Sequence, residues 1–324
     1  MIRKILFIWR TRGPRALLRA VSREILGYWI RRVRGNRFVE IKVFGFRLTI
    51  DLDDKGISRT LWLFGQRELD HKWILENSLD KGSTVLDIGA NIGYYLLMED
   101  QLIGEKGRII AVEPVASNLK LLKKNTKQAS AEDIVILEGA VSNISGPRTF
   151  YLARESNLNT FHKHVLESRG NLTAEVVVPT YTLEQLVSRY GEFDYLRMDI
   201  EGHEVEVLEG VAKLYGKVKK MPKIIFETHP RTYHEGHAIA PILEQLYNLG
   251  YCAEYVASSS ERGTKILQDL GYGAVKKIRT DEVFRTVHTD IAVHDLVKCL
   301  EETGGIRTVL LVHDGSSARI EITE

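Results

Sequence analysis

From about residue 80 onward, the chain repeats one pattern, in which a short apolar run is followed by a polar or glycine-containing loop and an amphipathic stretch. Apolar runs without polar alternation are typical of strands that are buried on both faces of a sheet. Strands of this kind, when helices separate them along the chain, pack as a parallel sheet between two helical layers. The pattern predicts an α/β fold that is doubly wound around a mostly parallel sheet. The runs occupy residues 85–88, 109–112, 134–137, 195–200, 224–226, 251–256 and 309–312.

The amino-terminal head, residues 1–37, has a different character. It contains eleven of the 45 basic residues and one of the 43 acidic residues, so a head of charge +10 precedes a body of charge −8. Gly13-Pro14 divides the head into two predicted helices, because proline suits the first turn of a helix. Each helix has an apolar stripe at helical spacing. The stripes are Ile2, Ile5, Leu6 and Trp9, and Leu17, Val21 and Ile25.

Residues 38–80 are predicted to form an amino-terminal hairpin and cap. Apolar and polar residues alternate from Val39 to Leu52, which is the period of a half-buried strand, and Gly45 lies near the middle. The catalytic domain is predicted to follow, over residues 81–324.

The composition excludes several classes of protein. Hydrophobic residues at 44% and charged residues at 27% are ordinary globular values, and therefore exclude general disorder. Cys252 and Cys299 are too few for a disulfide framework or a thiolate zinc site. No apolar run approaches the roughly 20 residues that span a bilayer, and the first apolar stretch is too short for a good signal peptide. These features predict a cytoplasmic protein.

Glycines and polar residues follow the first three apolar runs, at the points where ligands bind in sheets of this type. The segment 87–93, Asp-Ile-Gly-Ala-Asn-Ile-Gly, permits a tight turn and lacks both dinucleotide and P-loop spacing. Glu113 can accept hydrogen bonds from both hydroxyls of a ribose, and Ala140 follows the third run, beside a predicted adenine edge. The predicted cofactor residues are Asp87, Gly89, Asn91, Gly93, Glu113, Ala140 and Asp199.

The next two runs are followed by acids and histidines, as Asp-Ile-Glu-Gly-His-Glu at 199–204 and Glu-Thr-His-Pro at 227–230. Together with the segments 86–94, 113–114 and 140–143, these motifs resemble the FkbM-type S-adenosylmethionine-dependent methyltransferases over roughly residues 38–256. The glycine turn and an acid in the position of Glu113 are common to all class I methyltransferases. The 199–204 segment is more specific and restricts the resemblance to the FkbM type. The resemblance implies a Rossmann-like seven-stranded sheet with an antiparallel last strand, S-adenosylmethionine as cofactor, and methyl transfer mostly to hydroxyl oxygens of sugars and natural products. The head and an insertion near 257–306 depart from the family pattern.

A hydroxyl acceptor would benefit from a general base, because a sugar hydroxyl has a high pKa. The predicted catalytic residues are Asp199, His203, Glu227 and His229. Histidine titrates nearest neutral pH, which favours His203 or His229 as the base. Glu201 and Glu204 have an alternative role, because acids near a helix amino terminus complement its dipole.

No metal is assigned from the sequence. His229, His234 and His237, with Glu235, occur in one loop, but such spacing is more typical of a solvated histidine-rich turn. A divalent ion between Asp199 and Glu227 is a second alternative, since it would lower the pKa of an acceptor hydroxyl.

The expected partner is a small-molecule or glycan hydroxyl acceptor. The basic head also favours an anionic membrane surface on the inner face, ahead of a packed helical cover and of RNA phosphates. Alternative functions are N-methylation, nucleic-acid methylation, and noncatalytic cofactor binding in an assembly. An Asn/Asp-Pro-Pro-Tyr motif and a strand-end cysteine are both absent, and acids and histidines at consecutive strand ends favour catalysis. Nothing in the sequence predicts an oligomeric state.

Overall fold

The structure, a computed structural model, describes residues 2–314, with side chains from residue 13 onward. Its helices are α1 (Ile2–Arg34), α2 (Ile57–Phe64), α3 (Leu69–Ser78), α4 (Tyr94–Ile103), α5 (Ala116–Asn125), α6 (Lys163–Ser168), α7 (Leu183–Tyr190), α8 (Glu204–Leu214), α9 (Ala240–Asn248), α10 (Glu261–Asp269) and α11 (Val293–Lys298). Its strands are β1 (Phe38–Val43), β2 (Phe46–Asp51), β3 (Thr84–Ile88), β4 (Arg108–Glu113), β5 (Asp133–Glu138), β6 (Ala140–Val141), β7 (Gly146–Ala153), β8 (Leu172–Tyr181), β9 (Tyr195–Met198), β10 (Lys223–Glu227), β11 (Tyr251–Ser258), β12 (Ala274–Thr280), β13 (Val283–His288) and β14 (Ile306–His313).

The central sheet has the strand order β12-β13-β11-β14-β10-β9-β3-β4-β5. Strands β10, β9, β3, β4 and β5 are parallel, and β14 runs antiparallel to both of its neighbours. The predicted doubly wound α/β fold, with seven principal strands and an antiparallel last strand, is confirmed. The insertion adds β12 and β13 at one edge, which the sequence did not predict. Strand β12 is largely exposed and rich in lysine, as edge strands often are, and therefore lacks an apolar run.

Successive residues of the parallel strands face opposite helical layers. Leu86 and Ile110 belong to the apolar core that includes residues of α7, α8 and α9, whereas Val85 and Ile109 belong to the core that includes residues of α3, α4 and α5. This burial on both faces explains why each strand appears in the sequence as a continuous apolar run.

The register of the sheet brings the strand ends to one level. Ile88 pairs with Val112 on one side and with Met198 on the other, and Met198 also pairs with Phe226. The residues that follow these positions therefore meet at one edge of the sheet, where chemistry was predicted.

A second sheet, of order β6-β8-β7, lies between β5 and β9 along the chain. The sequence did not predict it, because its residues alternate in burial instead of forming a buried run. It brings Ala140 beside Thr180, next to the end of β5.

The amino-terminal region contains the predicted hairpin, in which β1 pairs with β2 around Phe44-Gly45. Helix α1 is kinked at Gly13, whose φ of 82° and ψ of 173° are not helical, in agreement with the predicted break. The predicted stripe of Ile2, Ile5, Leu6 and Trp9 lies outside the described side chains. Among residues 2–314, no helix has both the length and the apolar character needed to span a bilayer.

The second predicted stripe of α1 lies mostly outside the core. Val21 and Ile25 are exposed, whereas Ala20 and Ile30 are buried on the opposite face. The Trp62 indole donates a hydrogen bond of 2.9 Å to the backbone oxygen of Arg23, which attaches this buried face to α2. Helix α1 therefore packs on the domain through residues other than the predicted apolar stripe.

Candidate functional site

A cavity lies at the carboxyl ends of β3, β4 and β9. It brings together five of the predicted cofactor residues and one predicted catalytic histidine. These are Gly89, Asn91, Glu113, Ala140, Asp199 and His203. Asp87 and Gly93 do not line it. Asp87 is fully buried beneath the turn, and Gly93 precedes α4 in a left-handed conformation.

Gly89 forms the floor of the turn after β3. Its φ is 78°, and a Cβ atom at this position would lie 2.4 Å from the backbone oxygen of Asp199. Glycine is therefore required both by the backbone conformation and by the close approach of the neighbouring strand end. Because no side chain can be accommodated at Gly89, the backbone alone forms this part of the cavity wall.

Glu113 ends β4 and faces the cavity. Its carboxylate accepts hydrogen bonds of 2.9 Å from the backbone N–H groups of Asn91 and Val115, and one of 3.1 Å from the Asn118 amide. Burial nevertheless raises the pKa of Glu113 to about 7. A ligand hydroxyl that donates to this carboxylate would favour the ionised form.

Arg197 lies inside β9, and its side chain joins the ends of β3 and β9. It is almost fully buried, and its guanidinium lies 3.1 Å from Asp87 Oδ1 and 3.3 Å from Asp199 Oδ2. It also donates to the backbone oxygen of Gly89 at 3.3 Å and lies over the Tyr95 ring at 4.0 Å. Arg197 was not predicted as a site residue, because a basic residue within a strand gives no sign in the sequence of its partners in space.

His203 lies at the amino terminus of α8, against the second sheet. Its Nε2 is 3.0 Å from Ser142 Oγ, its Nδ1 is 3.2 Å from Glu206, and its ring packs on Phe161. Burial lowers the pKa of His203 to about 4. Its Nδ1 is buried and has no hydrogen-bond partner among the described residues, and the lowered pKa makes the ring a weak base.

His229 follows β10 and pairs with Glu204. Its Nδ1 lies 2.8 Å from Glu204 Oε1, and this carboxylate also accepts hydrogen bonds from the backbone of Gly202 and the Tyr233 hydroxyl. Burial alone would lower the pKa of His229, but the carboxylates of Glu201 and Glu204 outweigh burial and raise this pKa well above its usual range. A carboxylate that holds one ring nitrogen leaves the other available for proton transfer.

The other nitrogen of His229, Nε2, is buried and has no hydrogen-bond partner among the described residues. It faces three carboxylates, with distances of 3.6 Å to Glu201, 3.8 Å to Glu227 and 3.9 Å to Asp199. The predicted residues Asp199, Glu227 and His229 therefore meet at one point.

Asp199, Glu201 and His229 each bring one atom that could ligate a metal within 4.8 Å of the others. Both possible roles of His229, as a metal ligand and as a general base, require the imidazole in its neutral form. The cluster therefore combines groups that could hold a cation with groups that could transfer a proton.

Three charged residues that lie beside the Asp199, Glu227 and His229 cluster were not predicted. Arg307 of β14 contacts Glu227 at 2.8 Å and Glu68 at 2.6 Å, and Arg67 also contacts Glu68. Burial, with Asp199 and Glu68 nearby, raises the pKa of Glu227 to about 8, although Arg307 opposes this shift. No sequence signal could have found the group, because it joins the cap to the last strand.

Comparison with known proteins identifies the family. The model of the methyltransferase FkbM domain matches residues 87–252, which is half of the chain. The chain belongs to the FkbM methyltransferase family. It is a methyltransferase whose cofactor is S-adenosylmethionine, as the sequence resemblance implied.

Individual relatives of this FkbM methyltransferase are distant. Hexuronic acid methyltransferase AglP of Haloferax volcanii is 24% identical over 200 residues, which cover 61% of this chain and 76% of that protein. A protein-L-isoaspartate O-methyltransferase of Thermotoga maritima is 31% identical over 68 residues, covering 21% of this chain and 20% of that protein. The solved structure of methyltransferase FkbM from Methylobacillus flagellatus is 15% identical, with a TM-score of 0.37, and the match covers 71% of this chain and 52% of that chain.

Replacing Arg197 by methionine should destabilise the FkbM methyltransferase by about 3–5 kcal/mol, because Asp87 would be left buried without its counter-charge. Chemical denaturation of the variant measures this change. Arg262→Met, at an exposed position of α10, is the control and should change stability by less than about 0.5 kcal/mol. Equal stability of the two variants would contradict the role given to the buried guanidinium.

Proposed function

We propose that this methyltransferase transfers the methyl group of S-adenosylmethionine to a hydroxyl oxygen of a saccharide, with His229 as the general base. The main support is the Glu204–His229 pair, which directs the free Nε2 of His229 at the strand-end acids Asp199 and Glu227. AglP, the relative that acts on a hexuronic acid, supports a sugar as the class of acceptor.

The residues that line the cavity at the strand ends support its assignment as the cofactor site. When bound, S-adenosylmethionine supplies an electrophilic methyl group. In our proposal, Glu113 accepts the ribose hydroxyls, Gly89 and Asn91 provide the close backbone wall, and Ala140 lies beside the adenine. Asp199 faces both the cavity and His229, and therefore serves the cofactor and the acceptor. Asp87 and Gly93 act indirectly, by holding Arg197 and by starting α4.

Proton removal falls to the Nε2 atom of His229. Glu204 holds the Nδ1 side of the ring and stabilises the imidazolium that forms when the acceptor hydroxyl loses its proton. Asp199 and Glu227 are placed to accept hydrogen bonds from acceptor hydroxyls and so to orient the attacking oxygen. His203 is assigned a supporting role, because burial lowers its pKa to about 4 and makes it the weaker base.

Replacing Glu113 by alanine should weaken S-adenosylmethionine binding at least tenfold, because charge-assisted hydrogen bonds to ribose are worth roughly 1.5–3 kcal/mol each. Isothermal titration calorimetry measures this change. Glu138→Ala, at the exposed position that pairs with Glu113 in the sheet, is the matched control and should keep wild-type affinity. Unchanged affinity in Glu113→Ala would remove the ribose assignment.

Replacing His229 by alanine should lower turnover about 10²-fold or more while leaving cofactor affinity within about twofold, because the general base acts on the acceptor. Labelled methyl transfer to saccharide acceptors measures turnover. His234→Ala, at an exposed position on the same loop, is the control and should keep full turnover. Full turnover in His229→Ala would contradict its role.

The same base gives a distinctive dependence on pH. The deprotonated ring is the active form, so turnover should rise with pH through a pKa above the usual value for histidine. In Glu204→Gln the lost negative charge lowers the pKa of His229. The rise of turnover with pH should therefore occur at lower pH than in the wild type, while the maximal turnover falls. A rise that stays at the same pH would mean that another group is titrating.

We also propose that the amino-terminal head contacts an anionic membrane surface, where an acceptor on a lipid carrier would meet the active site. Helix α1 supports this proposal, because Leu18, Val21, Ile25, Trp29 and Val33 fall on one face and are 43–71% exposed. Arg34 lies over the Trp29 ring at 5.4 Å, and each basic residue near an anionic surface contributes about 1 kcal/mol. The opposite face packs on α2, so the apolar face is free while the helix remains attached.

The double variant Ile25→Glu/Trp29→Glu should lose co-sedimentation with phosphatidylglycerol vesicles, because both substitutions place charge on the exposed face of α1. The double variant Ile144→Glu/Val177→Glu alters equally exposed apolar residues elsewhere and should keep binding. Phosphatidylcholine vesicles and higher salt should weaken the binding of the wild type. Equal sedimentation of the two variants would contradict the assignment of this face.

A further inference from the structure

A polar cleft opens beside the cofactor cavity. Three segments that are distant in the sequence line it, together with Arg307. They are residues 55–68, which include α2, the loop 155–158, and residues 281–285, which form the turn after β12 and the start of β13. The cap and the insertion, the two regions outside the common methyltransferase pattern, thus meet in this cleft.

A small joining cavity lies between the cleft and the cofactor cavity and shares lining residues with both. Asn157 lines all three spaces, Arg67 and Glu68 line the cleft and the joining cavity, and Asp199 lines the joining cavity and the cofactor cavity. The cleft is therefore adjacent to the edge of the sheet at which the strand-end acids lie.

Two guanidinium groups are held side by side at the inner end of the cleft. Glu68 is buried, has a left-handed backbone with φ of 52°, and contacts both Arg67 and Arg307. The Tyr95 hydroxyl also donates to Glu68 and so fixes its carboxylate. A non-glycine residue in this conformation persists only where its surroundings hold it in place, and such residues concentrate at ligand sites.

Both arginines have unused hydrogen-bonding capacity. Among the described residues, the side-chain hydrogen bonds of Arg67 and of Arg307 involve only the Nη2 atom of each. The Nε and Nη1 groups therefore remain as donors in two side chains that line the cleft. The two cations share the buried acid Glu68, and the raised pKa of Glu227 reduces its negative charge near neutral pH.

We propose that this cleft binds the saccharide acceptor and that Arg67 and Arg307 hold an anionic substituent of it, a carboxylate or a phosphate group. The planar fork of a guanidinium matches both groups. Arg307 contacts Glu227, which lies 3.8 Å from His229 Nε2, so the anionic group would be about one sugar ring away from the methylated hydroxyl. This assignment rests on the proposed saccharide O-methylation and specifies its substrate class.

The test measures binding to the full chain saturated with S-adenosylhomocysteine, by isothermal titration calorimetry. The probes are methyl glucuronide, methyl glucoside 6-phosphate and the neutral methyl glucoside, so the two anionic probes distinguish a carboxylate from a phosphate. At least one anionic probe should bind tenfold or more tightly than the neutral one, as expected for charge-assisted hydrogen bonds. Equal affinities, or no binding of either anionic probe, would overturn the proposal.

Variants of Arg67 test whether this residue causes the tighter binding of the anionic probes. Arg67→Gln should reduce the anionic preference to less than about threefold, and Arg67→Lys, which keeps the charge that Glu68 requires, should retain an intermediate preference. Lys265→Gln removes a cation from the exposed side of α10, outside the cleft, and should keep the full preference. A full preference in Arg67→Gln, or one that Lys265→Gln lowers equally, would overturn the assignment.

Methyl transfer, measured separately, distinguishes the two proposals. An anionic preference without any methyl transfer to saccharides would overturn the proposed function alone. Methyl transfer to neutral and anionic saccharides with equal affinity would overturn the anionic subsite alone.

Discussion

The buried guanidinium of Arg197 is the interaction on which the site depends. Two charged partners, Asp87 and Asp199, and the backbone oxygen of Gly89 surround it, so one side chain sets the distance between the ends of β3 and β9. A buried ion pair contributes little net stability but is costly to break, and it therefore fixes the geometry of its partners. Tyr95 extends this connection, because its ring packs on the guanidinium and its hydroxyl reaches Glu68.

The acids near Arg197 have different pKa values, because their surroundings differ. Burial raises the pKa of Glu113 to about 7 and that of Glu227 to about 8, whereas His229 and N–H donors outweigh burial and hold the pKa of Glu204 below its usual value. An ionised Glu204 is what a histidine base requires of its partner. Carboxyl groups with separated pKa values at one edge of a sheet can thus serve different steps of a single reaction.

The sequence predicted those parts of the molecule that follow from local rules. Buried parallel strands appear as apolar runs, and their aligned ends predicted that Gly89, Glu113 and Asp199 would share one cavity. Arg67 and Arg307 could not be predicted, because 239 positions separate Glu68 from Arg307 and only tertiary packing joins them. His203 and His229 looked equivalent as bases in the sequence, and only their neighbours in space distinguish them.

The central claim is that Glu204 holds the Nδ1 side of His229 while Nε2 exchanges the proton. The most direct measurement is a ¹⁵N nuclear magnetic resonance titration of the His229 ring in the full chain with S-adenosylhomocysteine bound. The account predicts that Nδ1 stays protonated throughout, and that Nε2 titrates with a pKa above the usual histidine value. A ring that titrates at or below that value, or one that carries its proton on Nε2 when neutral, would contradict the account.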